Sequence, residues 1–463
     1  MISMRSICIF FLLACIIQLS ACKKFVELPA PQEQLSSATV FADDKVATSA
    51  ITGLYTQIMA NNNSFLNGAI SVYAGLSSDE LTGTTLPPFI PAFATNSLTN
   101  DNPVVSSLWT NAYTYIYQTN AILDGLRRSD KVSKPVKDQL QGEALFVRAL
   151  CYFYLVNLFG NVPLPLTTDY EVNATLPRVA TDSIYNRIIP DLVSAENILS
   201  ADYVVTSDFP ADRVRPNKWA AAILLSRVYL YQRKWGSAES EAAEVIDAGI
   251  YSLDTVPNVF TKASKEAIWQ LMPVSSTSNT SEGNCFIPAT PATLPTYSLT
   301  AQLLKAFEPS DRRRSGWLGS WSSGGDTNYY PYKYKVREGA PPYAEYNLVF
   351  RLAEAYLIRS EARAWQNDLR RAQDDLDSIR SRAGLGKDSS TDQSSLLSAI
   401  AHENQVEFFA EWGHRWLDLK RTNRANAVLG SLSWKNWQPT DTLYPIPKEE
   451  LSSNHNLVQN PGY

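Results

Sequence analysis

Six aromatic side chains stand out in a segment that lacks the composition of a core. Residues 315–335 read SGWLGSWSSGGDTNYYPYKYK, with Trp and Tyr set among Gly, Ser, Asp and Asn, which are typical of exposed loops. A flat ring matches the C–H face of a sugar, and neighbouring polar groups bond its hydroxyls. Buried apolar area contributes roughly 25 cal/mol per Å², and each polar contact adds on the order of 1 kcal/mol. The segment therefore predicts non-catalytic capture of a hydroxylated ligand.

Candidate ligand-binding residues come from this segment and from two other polar loops. They are Trp317, Trp321, Tyr329, Phe89, Phe93, Asn96, Asp101 and Tyr297. An alternative applies to Tyr330, Tyr332 and Tyr334, which alternate with the period of a half-buried strand. That pattern favours a structural role for Tyr332 and Tyr334. For Trp317 and Trp321, which flank glycines, ligand contact and packing both remain open.

Four residues near the C-terminus could in principle do acid–base or metal chemistry. Glu403 and Glu407 share a helix face, and His402 and His414 lie nearby in the sequence. Paired carboxylates serve glycoside hydrolases, and carboxylate–histidine sets hold metals. Glutamates at helical spacing are also ordinary surface composition, and the chain has no HExxH motif, nucleophile elbow or CxxC pair. We expect no catalytic residue, no metal site and no cofactor.

The N-terminus has the layout of a secretory signal. Residues 1–21 carry one basic residue, Arg5, an apolar run too short to span a bilayer comfortably, and small residues at the end. The sequence LSAC, ending at Cys22, resembles the lipobox of bacterial lipoproteins, in which the cysteine is acylated after cleavage. We find no later run apolar enough to cross a membrane. The sequence predicts an exported protein tethered by lipid at Cys22.

The net charge bears on a nucleic-acid partner, and the cysteine count bears on disulfide bonds. The chain of 463 residues has a formal net charge of −5, and its only dense basic patch, DRRRSG, is short. A nucleic-acid partner is therefore not expected. After removal of the signal and use of Cys22 as the anchor, Cys151 and Cys285 remain. The sequence does not decide whether these two are paired, and it implies no disulfide scaffold.

Helical periodicity dominates the rest of the chain. Residues 215–253 predict two helices separated by the turn RKWGSA, with small Ser226 and Ala238 at the expected contact between them. This pair resembles a tetratricopeptide repeat, and residues 346–385 repeat the pattern more loosely. Further helices are expected over 142–160 and 396–421. Two N-terminal helices are expected too, one of which places Trp109, Tyr113 and Tyr117 in the core.

Long connections rich in Gly, Ser, Thr, Asn and Pro separate the helices. They cover residues 83–102, 161–178 and 273–295, and loops of this length within a compact domain are usually functional. No charge run or compositional break marks a linker. The sequence therefore predicts one mainly α domain over residues 22–463, with tetratricopeptide-like helix pairs and a loop-rich irregular portion.

Several segments in order resemble the SusD/RagB-like outer-membrane lipoproteins, the nutrient-binding partners of SusC-like transporters. After the lipobox come RALCYFYLVNLFGNVPL, RLAEAYLIRSEA, SRAGL, ENQVEFFAEWGHRWLDLKR and the closing YPIPKEELSSNHNLVQNPGY. Each piece alone is weak, but their order and spacing cover almost the whole chain. One departure is Lys23 and Lys24, where surface-exported members often carry acidic residues after the anchor cysteine.

The resemblance implies a fold, a location and a function. It implies four tetratricopeptide-like pairs, anchoring at the outer membrane facing the exterior, and a seat over a TonB-dependent β-barrel transporter. The usual ligand is an oligosaccharide or polysaccharide, which is passed to the transporter. Two hypotheses remain: capture of glycans, which the aromatic loops favour, or a structural lid for the transporter with peptide or another nutrient as cargo.

Overall fold

The computed structural model describes residues 37–83, 85–205, 212–275 and 277–463. Cys22 and the predicted signal segment lie outside these residues. The N-terminal helices are α1 Ser37–Val40, α2 Asp44–Met59, α3 Ala69–Ser77, α4 Pro91–Thr95, α5 Pro103–Arg128, α6 Lys134–Phe159, α7 Tyr170–Asn173 and α8 Thr181–Ile198.

The second half of the chain contains the remaining helices and most of the strands. The helices are α9 Lys218–Tyr231, α10 Trp235–Asp247, α11 Ser281–Phe286, α12 Ala301–Ala306, α13 Arg312–Trp317, α14 Leu352–Trp365, α15 Leu369–Arg382, α16 Gln393–Glu407, α17 His414–Arg421, α18 Ala425–Leu429 and α19 Lys448–Ser453, with a 3₁₀ turn at Pro439–Thr442. The strands are β1 Leu81–Thr82, β2 Ala267–Leu271, β3 Ser298–Leu299, β4 Leu318–Ser323, β5 Asp326–Pro331 and β6 Asn347–Arg351.

The long helices form a continuous stack in which each contacts the next. The order of contact is α5, α6, α8, α9, α10, α14, α15 and α16. Such a stack buries one face of every helix against its neighbours, as in helical repeat proteins. The predicted mainly α fold built from helix pairs is confirmed.

Two of the helix pairs close through the same hydrogen bond. In α9 and α10 the Ser226 hydroxyl donates to the Ala238 carbonyl at 2.9 Å. In α14 and α15 the Ser360 hydroxyl donates to the Ala372 carbonyl at 2.7 Å. All four residues are fully buried, so the small side chains let the paired helices approach closely. The contact predicted at Ser226 and Ala238 is confirmed.

Helix α6 lies at the centre of the stack and is almost entirely enclosed. By length and apolar composition it could span a membrane, but it is buried within the protein and behaves as a core helix. It begins earlier than the predicted residue 142, because Ser133 and Pro135 at its start favour helix initiation. Cys151 within it is a buried free thiol, and Cys285 is also free.

Two helix predictions are wrong, one in its middle and one at its start. The helix expected over 396–421 is split into α16 and α17, because Ala410, Trp412 and Gly413 adopt positive φ angles between them. The Trp412 backbone N–H there donates to the Ser71 hydroxyl at 2.9 Å. The segment expected to start a helix at residue 346 instead forms strand β6, which pairs with β2 in the core.

The less helical part of the described chain contains three small antiparallel sheets. Strand β1 pairs with β3, β2 with β6, and β4 with β5. Strand β3 also contacts β5, so the long loop that follows β1 starts beside the β4–β5 hairpin. The hairpin carries Trp321, Tyr329 and Tyr330 of the aromatic segment 315–335.

Candidate functional site

The β4–β5 hairpin is built around a glycine turn. Ser323 and Asp326 are partners in the register, leaving Gly324 and Gly325 as a two-residue loop with φ angles of 62° and 97°. Positive φ at both positions matches a type I′ turn, whose twist suits a tight hairpin. The turn fixes which side chains share a face, because partners across the strands point the same way.

One face of the hairpin, which we call the aromatic face, presents Trp321, Asn328, Tyr330 and, just beyond β5, Tyr332. Trp321 lies opposite Asn328, and Tyr330 lies opposite Gly319. A Cβ atom at Gly319 would meet the Tyr330 ring at 2.3 Å, so the glycine lets this ring lie flat across the strand. The Tyr330 and Tyr332 rings meet edge-to-face, with centroids 5.9 Å apart. All four side chains of the face are half-buried.

Two polar side chains on this face, Trp321 and Asn328, differ from the neighbouring Lys335 in their hydrogen bonding. In the described chain, neither the Trp321 indole N–H nor the Asn328 amide has a side-chain hydrogen bond to protein. The Lys335 ammonium lies 3.9 Å from the Tyr332 ring centroid and donates to the Gly316 carbonyl at 2.6 Å. Burial lowers the pKa of Lys335 to about 8. The face combines flat rings with unpaired donors and acceptors, which is the chemistry that a hydroxylated ligand needs.

Tyr329 points to the other face of the hairpin. It is the partner of Ser320 and packs partly against the main core, with the Arg314 guanidinium 5.7 Å from its ring centroid. On the same side the Ser322 and Thr327 hydroxyls bond each other at 2.9 Å. Trp321 and Tyr329 therefore do not form one site, although both were predicted as ligand contacts.

Trp317 is wholly buried, so the structure contradicts its assignment as a ligand contact. Its indole N–H donates to the Val256 carbonyl at 2.8 Å, and its ring meets Phe260 edge-to-face at 5.5 Å. The ring lies at the base of the hairpin, where α13 turns into β4, rather than near the apex. Trp317 is a core residue that holds the hairpin on the domain.

Both ends of the hairpin are tied to buried carboxylates. Before β4, Arg313 donates to Glu403 at 2.5 Å and to Glu407 at 2.8 Å. After β5, Lys333 donates to the Glu407 backbone carbonyl at 2.8 Å and pairs with Glu411. Burial lowers the pKa of Lys333 to about 8. The hairpin is therefore clamped at both ends to the C-terminal turn of α16 and the residues just after it.

These contacts belong to a larger cluster of buried charges, which we call the ion network. Its members are Glu266, Asp311, Arg313, Lys333, Arg351, Arg382, Glu403, Glu407 and Glu411. The expectation that Glu403 and Glu407 are ordinary surface residues is wrong, because both are fully buried. Their carboxylates are paired with arginines in the interior rather than facing a cleft.

The loop after β1 keeps two of its predicted contacts accessible. Phe89 is 57% exposed in a left-handed backbone conformation, and its carbonyl accepts from the Asn102 amide at 3.0 Å. Asp101 is exposed and accepts from the Thr99 hydroxyl at 2.6 Å. Within the described residues, Phe89 makes no ring contact with Trp321. Phe89 and Asp101 remain predictions for ligand contact.

Three other loop candidates are buried and are corrected to structural roles. Phe93 is enclosed and stacks on Tyr73, with centroids 4.8 Å apart. Tyr297 is buried against Phe286, edge-to-face at 6.0 Å. Asn96 is buried, and its amide oxygen accepts a hydrogen bond from the Lys435 ammonium at 2.8 Å. Phe93 and Tyr297 are packed against other rings, and Asn96 is bonded to Lys435.

Sequence reasoning missed Asn328 as a site residue and did not commit to Tyr330. The signal that could have found them is the Gly324–Gly325 pair between two short segments, since it predicts a hairpin and thereby the register. The prediction that the whole aromatic stripe of α5 lies in the core is also wrong. Trp109 is buried as expected, but Tyr117 on the same stripe is 53% exposed.

Comparison with known families agrees with this architecture. Residues 32–230 match the family model described as "Starch-binding associating with outer membrane", and residues 310–463 match the model described as "SusD family". The chain belongs to the SusD/RagB family. The SusD-like protein P25 of Formosa agariphila is 25% identical over 98% of each chain. The predicted family membership is confirmed.

Solved structures of the SusD superfamily share the fold. A superfamily protein from Bacteroides vulgatus superposes with a TM-score of 0.80 at 21% identity, covering 91% of this chain and all of that one. A structure described as a laminarin-binding SusD-like protein gives a TM-score of 0.77 at 25% identity, with coverage of 91% and 100%. The helical stack and its irregular half are thus a SusD-family architecture.

Proposed function

We propose that this protein captures an oligosaccharide on the aromatic face without changing it chemically. The observation that carries the proposal is the pairing of half-buried Trp321 with Asn328 across the hairpin, both without side-chain hydrogen bonds to protein in the described chain. The indole offers a face for a sugar ring, and the amide offers donors and an acceptor for its hydroxyls. The starch-binding family description and the laminarin-binding relative support a glycan ligand.

We also propose the place of this capture in the cell. Family membership and the LSAC motif support acylation of Cys22, attachment to the outer membrane and a position facing the exterior. Delivery to a SusC-like TonB-dependent transporter follows from the same family resemblance. Since Cys22 lies outside the described residues, its role is tested chemically: Cys22→Ser should abolish incorporation of an alkyne-bearing fatty acid, and retained label would contradict the anchor.

The binding proposal is tested by isothermal titration of the protein that begins after Cys22. The probes are laminari-oligosaccharides and maltoheptaose. Trp321→Ala should weaken binding at least tenfold, because the stacking surface is lost, and Asn328→Ala should weaken it by a smaller factor. The control is Trp365→Ala, which removes a ring of 44% exposure that stacks on Trp235 at the end of α14 and is not part of the hairpin.

Two results would contradict the proposal. Binding of a peptide in place of every carbohydrate probe would favour the alternative of a transporter lid with non-glycan cargo. Unchanged carbohydrate affinity in Trp321→Ala would move the site away from the aromatic face. Transfer to a transporter has its own test: a large β-barrel protein should co-purify from mildly solubilised outer membrane, and its absence would contradict that partnership.

A further inference from the structure

A second concave surface, which we call the α5 groove, lies between α5, α7 and α19. Its volume is about 520 Å³, within the range of roughly 300–1,000 Å³ of ligand clefts. Its lining includes no residue of the β4–β5 hairpin. The groove is therefore a ligand-sized space separate from the aromatic face, and nothing in the proposed function uses it.

One wall of the groove is a stripe of aromatic side chains on α5. Trp109, Tyr113 and Tyr117 follow at intervals of four residues, which places them on one helix face. The Trp109 and Tyr113 ring centroids are 4.9 Å apart, and the stripe runs from the buried Trp109 to the exposed Tyr117. The stripe thus leaves the core and ends as an accessible ring.

A second exposed ring faces the same space from α7. Tyr170 lines the groove and is 81% exposed. It begins a short helix capped by Asp169, whose carboxylate accepts from the Glu171 backbone N–H at 2.9 Å. Because Tyr117 and Tyr170 both line the groove and are both exposed, the groove offers two accessible rings for ligand contact.

The segment between α6 and α7 is held rigidly over the groove. The Tyr113 hydroxyl donates to the Pro163 carbonyl at 2.8 Å, and the Asn120 amide donates to the Pro165 carbonyl at 3.0 Å. The Asn173 amide donates to the Thr167 carbonyl at 2.8 Å. Because these bonds fix the walls before any ligand arrives, binding would require little ordering of the protein.

The polar groups of the lining are almost all neutral. The Thr114 and Ser453 hydroxyls donate to the backbone carbonyls of Thr110 and Glu449, and the Asn454 amide donates to the Leu176 carbonyl, so the two hydroxyl oxygens offer acceptors to a ligand. Glu450 is the one ionisable carboxyl among the lining residues. Burial raises its pKa, against a hydrogen bond from the Trp109 side chain. Rings combined with neutral hydroxyl and amide groups suit an uncharged, hydroxylated ligand better than a charged one.

We propose that the α5 groove is a second binding site for a neutral oligosaccharide, with Tyr117 and Tyr170 as its stacking surfaces. The class of ligand rests on the proposed function, but the site does not depend on Trp321. A polymer carries units for either site, so loss of one site alone should leave polymer binding and loss of both should abolish it. A short oligosaccharide would bind with a stoichiometry of two.

The test compares four proteins by isothermal titration with laminaritriose and maltotriose, and by gel retardation in laminarin and in starch. They are the wild type, Trp321→Ala, the double variant Tyr117→Ala/Tyr170→Ala and the triple variant. The wild type should bind two trisaccharides of the recognised type. In the double variant, the affinity of one of the two sites should fall at least tenfold. The triple variant should bind neither polymer. Trp365→Ala should match the wild type.

Further variants separate ring loss from misfolding. Tyr117→Phe/Tyr170→Phe keeps both rings and should retain affinity within about threefold, with an unchanged circular dichroism spectrum.

If Tyr117→Ala/Tyr170→Ala binds as the wild type does, with one ligand lost only on Trp321→Ala, the second site is refuted and the proposed function stands. If no carbohydrate binds any of the four proteins, the proposed function itself fails. If the double variant binds carbohydrate as the wild type does but no longer co-purifies with a β-barrel protein, the groove is a protein contact. That result overturns the inference.

Discussion

The ion network makes Glu407 the carboxylate whose loss should most affect stability. Its side chain is fully buried and receives hydrogen bonds from Arg313 at 2.8 Å and from the guanidinium groups of Arg351 and Arg382. Glu407→Gln preserves the volume but removes the charge, leaving buried arginines short of one counter-ion. Removing one partner of a buried pair costs about 3–5 kcal/mol, and we expect a loss of that size in the free energy of unfolding.

The assay is urea unfolding at pH 7 followed by tryptophan fluorescence. Trp317 lies within reach of the network, with the Arg382 guanidinium 5.4 Å from its ring centroid. The matched control is Asp368→Asn, the same carboxylate-to-amide change in a surface pair with Arg371. Exposed pairs contribute about 0–1 kcal/mol, so the control should lie within that range of the wild type.

The pH dependence provides a second check on Glu407. Burial opposes its charge, but Arg382, Arg351 and Arg313 outweigh that effect and hold its pKa well below the ordinary value. Since the folded pKa is lower than the unfolded one, the stabilisation is present above about pH 4.5 and is lost as the pH falls. The difference between wild type and Glu407→Gln should therefore shrink in acid. A variant within about 1 kcal/mol of wild type at pH 7, or a difference unchanged by acid, would refute the reasoning.

Two further predictions concern buried and half-buried groups near the hairpin. Trp317→Ala should lower the free energy of unfolding by about 3–5 kcal/mol, whereas Trp321→Ala should change it by less than about 1 kcal/mol; equal urea midpoints would contradict this distinction. Burial raises the pKa of Glu282 to about 7, so the folded state binds its proton more tightly and stability falls as pH rises from about 4.5 to 7. Glu282→Gln removes this pH dependence, so in urea titrations its stability relative to wild type should rise by about 3 kcal/mol between pH 4.5 and pH 8; a constant difference across this range would contradict it.

The helix pairs could be predicted because their information is local. Apolar spacing marked the helices over 215–253, and the small side chains of Ser226 and Ala238 marked the contact between them. These features depend on residues within one or two helical turns, where the period of 3.6 residues decides which side chains share a face. The end of α16 was not predictable in this way, since the backbone after it is held by Ser71, far away in the sequence.

The candidate site was predictable only in part. An aromatic segment among polar residues indicated where ligand contact could occur, and Trp321 remains its central candidate. The same composition surrounded Trp317, which the fold encloses. Periodicity likewise could not separate Tyr117 from Trp109, because exposure along a helix face depends on which elements cover each turn.

By itself, the sequence determined the helical class, the family and the position of an aromatic segment that is partly exposed to solvent. Periodicity, motif order and composition can each be taken directly from the order of residues along the chain. The tertiary structure alone decided that Trp317 is core while Trp321 is accessible, and that Glu403 and Glu407 are buried with arginines. It also decided that Tyr117 and Tyr170 border one groove. These outcomes depend on contacts between segments far apart in the chain, and burial is a property of the packed assembly rather than of any local pattern.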